Sequence, residues 1–402
     1  MIHIKDKQQC CGCTSCYAIC PQECISMHED HEGFLYPSVD ESKCVGCHLC
    51  EEVCPIMNAK KEQAFPQRAF VVQHKDETIL RESTSGGAFS AIAKWVLDRK
   101  GIVYGAGYDE TFEVKHFSIR SESDLYKFRN SKYSQSHKTN CFKEIKKELS
   151  TGVIVLFSGT PCEVEGLLSF LGTSFPNLIT IDVVCHAVPS PLLFRKYLEA
   201  QRGERGEGIV DVKFREKHYG YSYSTMTIRW ANKKVYHQGI DTDVMLRAYF
   251  DSIASRPSCY HCAFKKRYRM SDFTLWDCFV ADEFCRELDN EKGVTRVLLH
   301  TEKAIRIFDD IRDDVFYKEV SPDHLTYKVK EMFQSVNANS LRDAFFSDLN
   351  NMRAEDCFRK YYPITMRNKV EKGVRLFFVK VGIYKYFKRT VKKLIGDRTI
   401  KR

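Results

Sequence analysis

The sequence predicts an α+β protein built in successive parts. Three observations predict it. A duplicated cysteine pattern is confined to the first sixty residues, short apolar runs alternate with helical stretches through the middle, and a lysine- and arginine-rich helical segment closes the chain. The 402 residues suffice for two or three domains. The expected divisions are 1–60, 64–150, 151–330 and 331–402.

Cysteine usage bounds the chemistry. Ten of the eighteen cysteines precede residue 55. No uninterrupted apolar run reaches the roughly 18 residues of a membrane span. Met1 to Lys7 carries no apolar signal segment, so a cytoplasmic location is expected. In that reducing compartment disulfides are disfavoured and metal ligation explains the cysteines better.

Two runs stand out: Cys10-x2-Cys13-x2-Cys16-x3-Cys20-Pro21 and Cys44-x2-Cys47-x2-Cys50-x3-Cys54-Pro55. Each ligand of the second lies 34 residues after its counterpart in the first, an internal duplication. Two-residue gaps let a tight loop turn three sulfurs toward one volume, and the fourth cysteine, before proline, crosses to the other cluster. Two [4Fe–4S] clusters are expected. Cys10, Cys13, Cys16 and Cys54 hold one; Cys44, Cys47, Cys50 and Cys20 hold the other. Four-cysteine zinc sites usually show two CxxC pairs with a longer spacer, which fits these runs less well. Cys24–Met27 and Gly33–Pro37 read as a hairpin covering the clusters. Cys11 and Cys24 fall outside the pattern and read as packing residues.

Asn58 to Gln63 is a polar connector. Arg68 to Gln73 reads as a strand. Thr84-Ser85-Gly86-Gly87 precedes an apolar-periodic helix from Ala88 to Leu97, and reads as an anion-binding loop or a plain helix cap. Gly101–Ala106 is a second strand. Val153–Phe157 is continuously apolar, as in a strand buried on both faces. It leads through Ser158-Gly159-Thr160-Pro161-Cys162 into a helix. Leu178–Val184 is another buried strand, ending at Cys185-His186. This order suggests an α/β unit, and ligands gather where such strands end. From Ile209 to Tyr236 residues alternate as in β-hairpins.

Six segments in order resemble a known family, the beta subunit of coenzyme F-420 hydrogenase/dehydrogenase. They are Ser83–Gly87, Asn130–Ser136, Phe157–Cys162, Val184–Ser190, Arg256–Cys262 and Ser271–Leu275. The resemblance runs from about Cys10 to His300. It implies an iron–sulfur oxidoreductase that binds FAD and passes electrons to a soluble substrate, here unknown. Bacterial members with a fused two-cluster ferredoxin head often accompany cell-surface polysaccharide genes. It also implies that Ser85, Gly86, Gly87, Ser131, Lys132 and Tyr133 line the flavin site, with Lys132 supplying positive charge.

In this frame Cys162, Cys185, Cys259 and Cys262 form a candidate third [4Fe–4S] site. The alternative is that Cys162 and Cys185 are buried small hydrophobes. Cys141, Cys278, Cys285 and Cys357 read as structural. His186 is a candidate proton donor by position alone; a satisfied buried histidine is the other reading. No acid–base residue is identified. The sequence departs from the family at Trp276-Asp277-Cys278-Phe279-Val280, where Gly-Asp-Phe-Trp-Gly is usual, and at Asn130, usually glycine.

The net charge of +9 is local. From Arg367 onward thirteen basic residues face two acidic ones, leaving the body near neutral. Val370, Val374, Phe377, Val381, Tyr384, Phe387, Val391 and Leu394 recur at helical steps. They predict one basic amphipathic helix that docks on an anionic membrane or packs on the body. No base-reading motif points to nucleic acid. Two functions are therefore expected. One is a flavin and iron–sulfur reductase fed by a ferredoxin-type donor. The other is an electron-transfer subunit that serves a partner enzyme.

Overall fold

The computed structural model describes residues 1–206 and 208–395. The first sixty residues fold around the cysteine runs. Strands β1 (Ile25–Glu29) and β2 (Leu35–Val39) form the expected antiparallel hairpin. The duplication is visible in the backbone. Gly12 and Gly46 turn left-handed with φ of 71° and 69°, and Thr14 and His48 with φ of 72° and 61°. One-turn helices Ser15–Ile19 and Leu49–Glu52 follow at once. Threonine and histidine lack glycine's freedom in this region, so their surroundings hold them there.

An eight-stranded sheet forms the centre of the body. Its strands are β3 (Arg68–His74), β4 (Ile102–Tyr108), β5 (Val114–Ile119), β6 (Val155–Gly159) and β7 (Leu178–Val183). After an excursion, β11 (Phe273–Asp277), β12 (Thr295–Leu299) and β13 (Val315–Val320) complete it. The order is β13-β3-β12-β11-β7-β6-β4-β5. The four strands β11, β7, β6 and β4 run parallel, and every flanking pair is antiparallel.

The run at β6 is apolar throughout because both faces are covered. Leu156 packs with helices Ala88–Asp98 and Glu302–Asp310. Val155 and Phe157 pack with helices Cys141–Ser150 and Pro161–Leu171 on the other side. Side chains two apart share a face, so each face needs its own apolar set.

The excursion is the alternating segment. Strands β8 (Ile209–Glu216), β9 (Thr225–Trp230) and β10 (Val235–Gln238) form an antiparallel meander. It shares a core with helix Pro191–Arg205 and with Phe345, Phe346 and Phe358 from helices Arg342–Asn351 and Ala354–Tyr361.

The single amphipathic helix expected near the C-terminus is instead two. Met366–Lys380 and Tyr384–Ile395 are separated by Gly382, left-handed at φ 74°. Phe378 stacks on Phe387 at 4.0 Å, folding the pair together. The expected apolar face splits as a result. Tyr384 is buried, while Val370, Val374, Phe377 and Val381 stay exposed. The Leu394 side chain and residues 396–402 lie outside the described part. Among the described residues, no helix is long and apolar enough to cross a membrane.

The head does not hang free. Ser15 Oγ donates to Gly166 O at 2.8 Å, and a side chain at Gly166 would meet Cys13 Cβ at 2.6 Å. Close by, Lys138 is wholly buried and its Nζ donates to Glu163 Oε1 at 2.7 Å and Ser136 O at 3.0 Å. Glu163 also accepts the Thr160 N–H at 2.8 Å, closing the start of helix Pro161–Leu171. Burial pushes the Glu163 carboxyl up, but the Lys138 and His116 charges and the hydrogen bonds from Lys138 and the Thr160 N–H together more than offset this and hold it at about 2. Lys138→Met strands a buried carboxylate and is expected to lose about 3–5 kcal/mol of stability, read as an earlier urea midpoint of the full chain. In the native protein, the Glu163 contribution is complete above its ordinary value of 4.5 and fades as pH falls toward about 2.

Candidate functional site

The structure brings the twelve candidate cysteines together in three groups. Cys16 lies in the electrostatic reach of Cys13, Cys10 and Cys54, and Cys54 in that of Cys13 and Cys10. Cys54 thus crosses from the second run to the first loop. Cys20, Cys44, Cys47 and Cys50 line one small cavity, so Cys20 crosses the other way. Its rim is open to solvent: Cys47 is exposed and Val45 is 65% exposed.

Cys162, Cys185, Cys259 and Cys262 form the third group. Cys185 lies in the reach of the other three, and Cys259 in that of Cys162 and Cys262. Three buried ion pairs fix the elements that carry them. Lys138–Glu163 at 2.7 Å and Lys266–Glu165 at 2.7 Å hold the helix Pro161–Leu171, which carries Cys162 in its first turn. Arg269–Asp182 at 3.0 Å ties the chain after Cys262 to the end of β7, beside Cys185. None of these charges stands out in the sequence.

Cys11 joins two groups. Its thiol is buried and packs with both Cys13 and Cys162. Cys11, Cys13, Cys162, Cys262, Ile56 and Phe264 form one apolar cluster between the first and third groups. The first and second groups likewise share a core, with Cys16 and Cys54 packed beside Cys20 and Cys50. The sequence gives no signal for the contact with Cys162, because it spans most of the head and half the sheet.

The thiols are suited to ligation. The Cys11 thiol holds Cys13 well below the usual thiol range, while burial pushes Cys16, Cys54 and Cys185 up. Bound metal deprotonates a coordinating thiol outright, so burial is no bar to ligation. Among the described residues, no three His, Cys, Asp or Glu side chains converge on the position of a single metal ion. A cubane spreads its four thiolates around four irons. The four-cysteine groups fit such clusters by donor type and number.

The six residues expected around a flavin lie on adjacent loops, with Thr84 Oγ1 3.1 Å from Ser131 Oγ. Their polar side chains already have protein partners. Ser85 Oγ donates to Val294 O at 2.5 Å. Lys132 Nζ donates to Lys127 O and Arg129 O, both at 2.9 Å, and burial lowers it to about 7. Tyr133 OH accepts from Arg215 at 3.2 Å, and its ring stacks on Tyr249 at 4.1 Å. Gly86 donates its N–H to Thr295 Oγ1 and has no room for a Cβ beside Val72 O. Gly87 turns left-handed to start the Ala88 helix. So arranged, these side chains do not fit a flavin.

The departing segment is equally occupied. Asp277 pairs with Arg215 at 3.1 Å and accepts from Tyr221 OH at 2.8 Å. Phe279 stacks on Tyr221, and Trp276 packs against the cluster that contains Ala69, Val71 and Leu298. The backbone at Asn130, left-handed at φ 66°, explains why glycine is usual there; its amide is pinned to Arg215 on both sides. Burial drives His186 down to about 4, and Ser252 Oγ lies 3.3 Å from its Nε2. It is a neutral, partnered ring at physiological pH.

Comparison with known proteins follows this division. Residues 9–58 match the family model described as 4Fe-4S dicluster domain. Residues 154–324 match the model for the C terminus of the coenzyme F420 hydrogenase/dehydrogenase beta subunit. The Ser85 and Ser131 loops lie outside both segments. The F420-dependent formate dehydrogenase subunit beta of Methanocaldococcus jannaschii is 21% identical over 283 residues, 66% of this chain and 65% of that protein. The chain therefore spans just under two thirds of that relative's length. A chain in the xenon-derivatised F420-reducing [NiFe] hydrogenase complex from Methanosarcina barkeri is also similar. It shares 13% identity at a TM-score of 0.45, covering 74% of this chain and 93% of that one. The chain thus matches a 4Fe-4S dicluster domain at its N-terminus and, behind it, the C-terminal part of the coenzyme F420 hydrogenase/dehydrogenase beta-subunit family.

Proposed function

We propose that this iron–sulfur electron-transfer protein is a relay subunit with an inward order of sites. A ferredoxin-type or other redox donor docks at the exposed Cys44–Cys50 loop. Cys20, Cys44, Cys47 and Cys50 hold the entry cluster, and Cys10, Cys13, Cys16 and Cys54 hold the next. Cys162, Cys185, Cys259 and Cys262 hold a third. The observation that carries this reading is Cys11, which touches both Cys13 and Cys162 and leaves the first and third groups one thiol apart. Each [4Fe–4S] cluster supplies one-electron transfer. The protein's own share is to exclude water and to fix the spacing.

From the third site, electrons pass to a partner enzyme. The relative at 21% identity is itself described as a subunit. A reductase with FAD and an organic substrate is the second reading. The adjacency of the Thr84 and Ser131 side chains favours it, while the occupied side chains of Ser85, Lys132 and Tyr133 weigh against it. A role in cell-surface polysaccharide synthesis rests on the resemblance alone.

The helical hairpin at 366–395 supports contact with an anionic membrane surface. Met366, Val370, Val374, Phe377 and Val381 form an exposed apolar stripe on and just beyond its first helix, amid the basic excess of the tail. Apolar burial and attraction to anionic lipid act together in such a helix.

Three measurements test these readings. Anaerobically reconstituted protein is expected to hold about twelve irons per chain, and Cys162→Ala with Cys185→Ala about eight; eight in the native chain removes the third cluster. Cys11→Ala is expected to keep the full iron count, since Cys11 is a neighbour and not a ligand. Acid extraction is expected to release no flavin, and one flavin per chain favours the second reading. The full chain is expected to sediment with phosphatidylglycerol vesicles and not with phosphatidylcholine vesicles, and Phe377→Ser to weaken this. Equal recovery with both lipids, or dimerisation through the stripe, overturns the membrane reading.

A further inference from the structure

Arg256 is buried to 1% exposure, yet none of its hydrogen-bond partners is a carboxylate. Its Nε donates to Cys10 O at 2.7 Å and its Nη1 to Gln135 Oε1 at 2.7 Å. Its Nη2 donates to Leu35 O at 2.9 Å and lies 3.4 Å from Cys10 Sγ. The guanidinium carbon sits over the Tyr36 ring at 4.3 Å and the Phe34 ring at 5.3 Å. The side chain is aimed into the head.

Its main chain belongs elsewhere. Arg256 N donates to Val188 O at 2.8 Å, and Cys259 N donates to Arg256 O at 2.9 Å. The residue therefore starts the turn that carries Cys259 and Cys262, while its side chain closes over the Cys10 loop. Gly12 makes room for it: a Cβ there would lie 2.9 Å from Arg256 Nη1 and closer still to Gln135 Nε2.

A guanidinium keeps its proton in proteins, and a buried charge requires a countercharge. Burial opposes the cation here. The groups that favour it are the Cys10, Cys11 and Cys259 thiols and the Tyr36 phenol. Thiolates around a cluster supply the negative charge that no carboxylate supplies.

We propose that Arg256 is a positioning residue that raises the reduction potential of the Cys10–Cys13–Cys16–Cys54 cluster and locks that cluster to the Cys259 turn. The proposal rests on reading those cysteines as cluster ligands. One-electron reduction adds one negative charge to the cluster. A fixed cation and an N–H beside a ligand sulfur stabilise that reduced form. The entry cluster has no such buried cation among its cavity-lining residues; it faces the Met1 amine and His48 at the surface.

The test is an anaerobic redox titration of the full chain, followed by electron paramagnetic resonance, beside an iron count. Arg256→Gln is expected to keep its iron and to make one cluster about tenfold harder to reduce, 59 mV for a one-electron couple, with the other N-terminal cluster unmoved. Arg256→Lys keeps the charge but cannot span three acceptors as the planar fork does, so a smaller shift in the same direction is expected. Should the Gln variant fail to fold, the Lys variant decides. Full iron with unmoved midpoints in a folded variant overturns the proposal. A wild-type chain that binds no cluster iron overturns the ligand reading, and the proposal with it.

Discussion

The close approach of the first cysteine loop to the body is the constraint on which the rest depends. Two glycines permit it from opposite sides. Gly12 lets the loop pass beneath Arg256 and Gln135, and Gly166 lets helix Pro161–Leu171 meet Cys13 and Ser15. A methyl group at either place pushes the loop outward. The head is therefore a fixed part of the protein, with packed side chains between the first and third cysteine groups.

Buried ion pairs hold the elements that carry the third group. Lys138, Lys266 and Arg269 reach Glu163, Glu165 and Asp182 on the helix and strand that carry Cys162 and lead to Cys185. Buried ion pairs of this kind add little net stability. They do specify geometry, because a pair removed from water tolerates little displacement. The same helix start is closed by Thr160 and Glu163, so the residue after Cys162 is held by both backbone and charge.

The region behind the meander shows the opposite use of polar groups. Arg215, Asp277, Tyr221 and Tyr133 are bonded in one network, and the Phe279 ring stacks on Tyr221 beside them. Where the family has two glycines this chain has Trp276 and Val280, and Asp277 between them is bonded within the protein, although Arg215 Nη2 and Trp276 Nε1 are buried without a hydrogen-bond partner.

The fold class, the strands at 68–74, 102–108, 155–159 and 178–183, and the meander were legible because they rest on local periodicity. The eight cysteines of the head were legible as a pattern for the same reason: ligand spacing is a property of a short loop. The break at Gly382 depends on tertiary contacts, since a lone glycine in a helix is tolerated unless folding back gains contacts such as Phe378 on Phe387. The meeting of Cys11 with Cys162, the room at Gly166 and the reach of Arg256 to a residue 246 positions earlier belong to the tertiary structure alone. Local sequence dictates how a segment turns and which face it buries. Which distant segment covers that face depends on mutual fit and charge, and those exist only once the chain has packed.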